Sequence, residues 1–377
     1  MKRRDFLAGT ATGVALGAGA LALSACGEDK KEEKKAAPAV LKKKRELKMV
    51  TTWPKNFPGL GTGAARAAQR ITDMSDGELT VKLFSAGELV PALESFDAVS
   101  NGTADMYHGA EYYWQGKHKA FNFFTAVPFG LTAGEMDAWI HHGGGQALWD
   151  ELASGFNVKP FACGNTGVQM GGWFNKEINS VEDLKGLKIR MPGLGGEVLR
   201  KLGAAAITLP GGEIFPSLQS GAIDATEWVG PWNDLAFGFY KVTKFYYYPG
   251  FHEPGSTLSC GVNLDVWKSL TPSQQAIVEN ATMAENNYMM AEFNARNGDS
   301  LEVLLKEHGV QLRKFSDEIM QQIGEASGEV MREVAAADEM TGKVFKSFAD
   351  FRKKAMGWSD LSEKSYWESR GLSYKYD

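Results

Sequence analysis

The sequence predicts an α/β fold of two lobes with a cleft between them, crossing strands, and helices at the C-terminal end. Three observations carry this expectation. From Leu47 onward, short apolar or alternating runs trade places with stretches of helical period, which is the pattern of crossover units. Two longer strand-like runs, "VKPFACGNTGVQMGGWFNK" and "HEPGSTLSCGVNLDV", leave one body and re-enter it, and a cleft between such lobes is where small ligands bind. From Ser316 to Asp377 only helical spacing remains, with Ile319, Ile323, Val330, Val334, Val344, Phe345, Phe348 and Phe351 near the helical period.

Residues 1–26 read as a processing segment and not as fold. "MKRRDFLAGTATGVALGAGALALSAC" has a basic start, an apolar middle and a small-residue end, the plan of a secretory signal. Arg3 and Arg4 resemble a twin-arginine export motif, and Leu23-Ser24-Ala25-Cys26 resembles a lipobox, which would make Cys26 the lipid-bearing first residue of an exported, membrane-anchored periplasmic protein. Export by the general secretory route is the alternative. Residues 27–46 form a mixed-charge tether with few core-forming residues.

The body of about 330 residues suffices for two domains. It holds no apolar run of bilayer length, and a net charge of -5 without a basic stripe argues against nucleic acid. Cys163 and Cys260 read as small buried strand residues, although an oxidising envelope would let them pair if geometry permitted.

In chain order, "ELKMVTTWP" is a strand, "GLGTGAARAAQRITDM" a helix and "LTVKLFSAGELV" a second strand. "ALESFDAVSNGTADMYHG" is a helix running into a strand. Lobe I is expected over 47–165 together with 258–315, lobe II over 166–257, and a helical arm over 316–377. "TPSQQAIVEN" opens a helix with a Thr cap, a proline at the first helical position and Gln at the capping-box position.

The candidate site residues lie at segment ends. Arg190 ends a short strand in "DLKGLKIRMPG", where a guanidinium offers a planar fork that matches a carboxylate. Gln169, Glu227 and Glu253 are oxygen donors without a Cys or His cluster, a set that suits a hard cation; His252 beside Glu253 is a single histidine and weak evidence for a transition metal. Tyr107, Tyr112 and Tyr113 could close over a small acid, with Trp228 and Trp232 as apolar walls. Neither a nucleophile elbow nor a dinucleotide fingerprint is present, so an enzymatic role is the weaker reading.

The run from "INSVEDLKGLKIRMPG" to "YYYPGFHEPG" resembles the periplasmic solute-binding subunit of tripartite ATP-independent periplasmic (TRAP) transporters, the DctP family. It is most similar to the branch that binds 2-oxo acids such as pyruvate, or 2-hydroxy acids such as lactate. The resemblance implies the two-lobed periplasmic solute-binding fold and a sodium or calcium ion held by Gln169, Glu227, the Trp228 carbonyl and Glu253. It implies that Arg190 grips the substrate carboxylate, that the loop from Tyr107 to Tyr113 lines the pocket, and that the membrane subunits of a TRAP transporter are partners. Some members dimerise by exchanging the C-terminal arm, so a homodimer is expected. Sugar acids are the remaining alternative ligands.

Overall fold

The computed structural model describes residues 44–376. The signal segment, Cys26 and the tether up to residue 43 lie outside the described residues. Two mixed sheets form the cores of two lobes. The first has the order β2-β1-β3-β10-β4, from β1 (Arg45–Thr51), β2 (Leu79–Phe84), β3 (Met106–Gly109), β4 (Val158–Asn165) and β10 (Thr257–Asn263). The second has the order β11-β9-β5-β8-β6-β7, from β5 (Gly172–Phe174), β6 (Lys188–Arg190), β7 (Ala205–Ile207), β8 (Ala225–Thr226), β9 (Phe245–Tyr248) and β11 (Gln311–Lys314). β1 runs parallel to β2 and β3, whereas β10 is antiparallel to β3 and β4. A return strand of this kind is what a chain that leaves the first lobe and comes back must supply.

Three expectations are corrected. The run from Val158 to Phe174 is not one strand: β4 belongs to the first sheet and β5 to the second. Residues 311–314, assigned from sequence to lobe I, pair parallel with β9 and so extend the second sheet. Arg45 and Glu46, assigned to the tether, already belong to β1 and pair with Leu79 and Thr80.

The crossing segments are hydrogen-bonded to one another. Thr166 N–H donates to the Ser256 carbonyl (3.1 Å), Gln169 N–H to the Glu253 carbonyl (3.1 Å) and Gly250 N–H to the Gln169 carbonyl (2.9 Å). A 35-residue helix, Pro272–Lys306, lies against elements of both lobes, touching β4, the helix Leu60–Met74 and the helix Pro231–Phe237. Its start is the expected capping box: Thr271 Oγ1 accepts from Gln274 N–H (3.3 Å) and Gln274 Oε1 from Thr271 N–H (3.1 Å), with Pro272 at the first turn.

The C-terminal part is helical, over Asp317–Ala335, Glu339–Ser359 and Ser365–Arg370. Phe348 packs on Phe123 (5.7 Å) and Trp139 (5.2 Å), and Val330, Val334 and Val344 belong to the same buried cluster. Beyond Met356 the apolar side chains stay outside, Trp358 being 71% and Leu361 77% exposed. Cys163 and Cys260 form no disulfide among the described residues and are fully buried on β4 and β10. No helix among the described residues is long and apolar enough to cross a membrane.

Candidate ligand and metal site

The site forms where the crossing segments meet the ends of β6 and β8. These two strands are parallel, with Arg190 opposite Thr226, so Glu227 emerges beside Arg190. Glu227 N–H donates to the Arg190 carbonyl (3.2 Å) and fixes that neighbourhood through the backbone. Strand β8 is only two residues long, because the chain turns at Glu227 to present its side chain. Gln169 and Glu253 come from the two crossing segments, and lobe I contributes Tyr112 and Tyr113 from the turn after β3.

Arg190 is fully buried. Its Nε donates to the Leu209 carbonyl (3.2 Å), Nη1 to the Glu227 carbonyl (3.2 Å), and Nη2 to the Tyr113 hydroxyl (3.2 Å). Nη1 also pairs with Glu227 Oε1. Of the five N–H donors of a guanidinium, one on Nη2 is left over among the described residues. The open fork expected from sequence is thus largely committed to Glu227. Burial works against the charge on Arg190, but the facing Glu227 carboxylate outweighs it and holds the group above its ordinary range. The guanidinium also lies over the Trp228 ring, 5.0 Å from its centroid.

Glu227, His252 and Glu253 offer ligand atoms all within 4.8 Å of one another, and all three side chains are buried. His252 Nε2 lies 3.4 Å from Glu227 Oε2, so the histidine set aside in the sequence is part of the cluster. Burial first, and then the Glu227 charge, push Glu253 up to about 7. Gln169 Nε2 donates to Glu253 Oε2 (2.7 Å) and to Thr166 Oγ1 (3.1 Å), which leaves its Oε1 buried and without a hydrogen-bond partner among the described residues. An orphaned amide oxygen on a side chain bonded to one of two clustered, buried carboxylates is an expensive arrangement for a protein alone. It fits a hard cation, which prefers such neutral and anionic oxygens.

Trp53, Leu60, Tyr112, Tyr113, Thr166, Gln169, Trp228, Val229, Ser256 and Leu258 line a narrow cavity of about 10 Å³. Closure draws both lobes together: Gly193, at φ +62, would bring a Cβ to 3.1 Å from Tyr112, so that close approach needs glycine. Phe57 from lobe I meets Trp228 (6.1 Å) and Phe237 (4.3 Å), and Lys119 pairs with Glu197 (3.2 Å).

Two expected site residues are not there. Tyr107 is core: its hydroxyl donates to Glu111 Oε1 (2.6 Å) and its ring packs on Phe96 and Trp114. Trp232 packs on Phe293 of the long helix (5.2 Å) and does not line the cavity. Trp53, Thr166 and Ser256 went unrecognised. For Trp53 a signal existed, since it follows β1 directly and ligands gather beyond the carboxyl ends of strands.

The loop after Glu227 is held by Asp234, which is buried and accepts from Trp173 Nε1 (3.0 Å), Tyr246 Oη (2.6 Å) and Val229 N–H (3.3 Å). Burial pushes Asp234 up to about 7. A folded-state value above the unfolded one, about 3.9, means that this group's contribution to stability is complete below that lower pH and is lost as pH rises through 7. Asp234→Asn still accepts from Trp173 and Tyr246, so thermal melts should show a shallower loss of stability between about pH 4 and 7 than the wild type. An unchanged slope would refute the assignment of that loss to Asp234.

Residues 49–338 match the bacterial extracellular solute-binding proteins, family 7 (DctP). The monocarboxylate 2-oxoacid-binding periplasmic protein of Nostoc sp. is 46% identical over 319 residues, which cover 85% of this chain and 87% of that protein. Two solved TRAP periplasmic solute-binding proteins are each 42% identical with a TM-score of 0.84 and cover 87% of this chain. The one from Pseudoalteromonas atlantica, matched over 99% of its length, has bound sodium and pyruvate, and that from Colwellia psychrerythraea, matched over 100%, has bound calcium and pyruvate. The two-lobed fold with a closed, polar-lined crossing and the match over most of its length agree: this chain belongs to the DctP family and is a periplasmic solute-binding receptor of the TRAP type, not an enzyme.

Proposed function

We propose that this receptor captures short 2-oxo monocarboxylates, pyruvate foremost, together with a sodium or calcium ion, and delivers them to the membrane subunits of its transporter. The observation that carries the reading is the cluster of buried Glu227 and Glu253, with Arg190 paired to Glu227 and with Gln169, whose Oε1 is orphaned, bonded to Glu253 and lining the cavity. Gln169, Glu227, Glu253 and the Trp228 carbonyl would hold the ion. The bound ion supplies positive charge for the carboxylate and 2-oxo oxygens of the ligand. Arg190 keeps Glu227 in place and meets the ligand through its remaining N–H, Tyr112 and Tyr113 close over it, and the rings exclude water. The related proteins that bind pyruvate with either ion support this reading.

A thermal-shift and competition panel tests it, because a ligand raises apparent stability with its free energy of binding. Pyruvate and short 2-oxo acids should stabilise most, lactate less, and succinate or malate least. Tight binding of succinate with no response to pyruvate would overturn the ligand class.

The same reading extends to attachment and assembly. Cys26 would carry the lipid, in which case labelling with a fatty acid tags the wild type and spares Cys26→Ala; equal release of both into the soluble fraction would count against it. A second copy would cover the exposed Trp358, Leu361, Tyr366 and Trp367 and the groove of about 780 Å³ between 127–129 and the C-terminal helices. Light scattering that finds only monomer at every practical concentration would remove the dimer.

A further inference from the structure

We propose that Trp53, locked in place by His108, is the wall that limits the length of the ligand's tail. The inference rests on the 2-oxo acid reading and adds a specificity-determining residue and its positioning partner. Trp53 is 2% exposed and lines the cavity. Its ring centroid lies 6.1 Å from that of Trp228, edge-on, and 6.2 Å from that of Tyr113. Those are the two rings in contact with Arg190, so Trp53 faces the charged end of the site across the cavity and is where an uncharged tail arrives.

The wall is fixed by a relay. An indole N–H can only donate, and Trp53 Nε1 lies 2.7 Å from His108 Nδ1, so Nδ1 is the accepting nitrogen. The proton of the neutral imidazole is then on Nε2, which lies 3.0 Å from the Cys163 carbonyl and donates to it. Burial favours this neutral form, pulling His108 down to about 4. The backbone is pinned as well: the Trp53 carbonyl accepts from Ala86 N–H (3.0 Å), and Thr52 N–H donates to the His108 carbonyl (3.1 Å). Rotating the indole away from the cavity would strand a buried N–H and a buried imidazole nitrogen together, a double loss that keeps the ring where it is. Neither His108 nor Cys163 touches the proposed ion ligands, so the relay acts on ligand shape and not on the charge balance of the site.

The test measures affinity for a homologous series of straight-chain 2-oxo monocarboxylates, from three to six carbons, with saturating sodium or calcium. The wild type should bind the short members and lose affinity once the tail meets the indole. Trp53→Leu should move that break to longer chains, with each newly accommodated methylene gaining about fourfold. Trp53→Phe, which keeps an apolar ring in the core, should move it less and serves if the leucine variant fails to fold. His108→Leu, which strands the indole N–H, should blur the break; His108→Gln, which can accept from the indole and donate to the carbonyl, should restore it. A wild-type protein that binds no 2-oxo acid would sink the functional reading itself. A wild type that binds pyruvate, with the break unmoved in folded Trp53 variants, would overturn the assignment of the wall, and equal behaviour of His108→Leu and His108→Gln would overturn the relay.

Discussion

Arg190→Lys should weaken binding of pyruvate by about 2–5 kcal/mol, the range for truncating one partner of a buried, hydrogen-bonded charge pair. The guanidinium spans the Leu209 carbonyl, the Glu227 carbonyl and side chain, and the Tyr113 hydroxyl at once. An ammonium is a point charge on a flexible stem and cannot reach all of them from one position. Whichever it keeps, Glu227 or Tyr113 loses its orientation. Tyr113 comes from lobe I and Arg190 from lobe II, so the substitution also loosens the closed state. The variant should fold with reduced stability, since Glu227 remains buried with a poorer partner. Calorimetry on the folded variant is the check, and an affinity equal to that of the wild type would show that Arg190 is structural only.

What the sequence made legible, and what it hid, follows from locality. Arg190 and Glu227 were readable because each ends a run whose pattern stops there, and the capping box at Thr271 was readable because all its partners lie within four residues. Tyr107 misled because all four residues of β3 are buried, so no alternation distinguishes a residue facing the cavity from one facing the core. Its hydroxyl found Glu111, a partner one turn away, instead of the ligand space. The division of Val158–Phe174 between two sheets was missed although Gly164-Asn165-Thr166-Gly167 interrupts the apolar run where the chain changes sheet. Strand β11, "QLRK", is polar because it is an edge strand; a lone exposed edge carries little periodic signal, and only its pairing with β9 reveals it. His108 is unremarkable in sequence, and its meaning depends on Trp53 and Cys163, each 55 residues from it.

Removing the cation should abolish most of the affinity for 2-oxo acids, and Glu253→Gln should have the same consequence while making the ligand-free protein more stable. Glu227 and Glu253 face one another in a buried space where Arg190 pairs with Glu227 and His252 lies beside it. With both carboxylates ionised, they and Arg190 carry one net negative charge, and a monocarboxylate ligand would add another. Two uncompensated charges in a water-poor cavity are prohibitive, so binding needs a cation to enter with or before the ligand. Sodium leaves one negative charge and calcium leaves none. A dicarboxylate would leave two negative charges with sodium and one with calcium, in each case one more than pyruvate leaves with the same ion, which is why succinate and malate should fare poorly. Glu253→Gln removes the carboxyl that burial and Glu227 disfavour, and so relieves the empty site. It also withdraws charge from the ion, and the loss of cation affinity should exceed the roughly 10–100-fold that outer-shell partners of metals cost. Thermal melts separate the two effects: without ligand the variant should melt higher than the wild type, and with sodium or calcium plus pyruvate it should gain far less. If the chelator-treated wild type binds pyruvate as tightly as before, or if Glu253→Gln keeps the full stabilisation by cation and pyruvate, the oxygen cluster holds no ion that matters for binding.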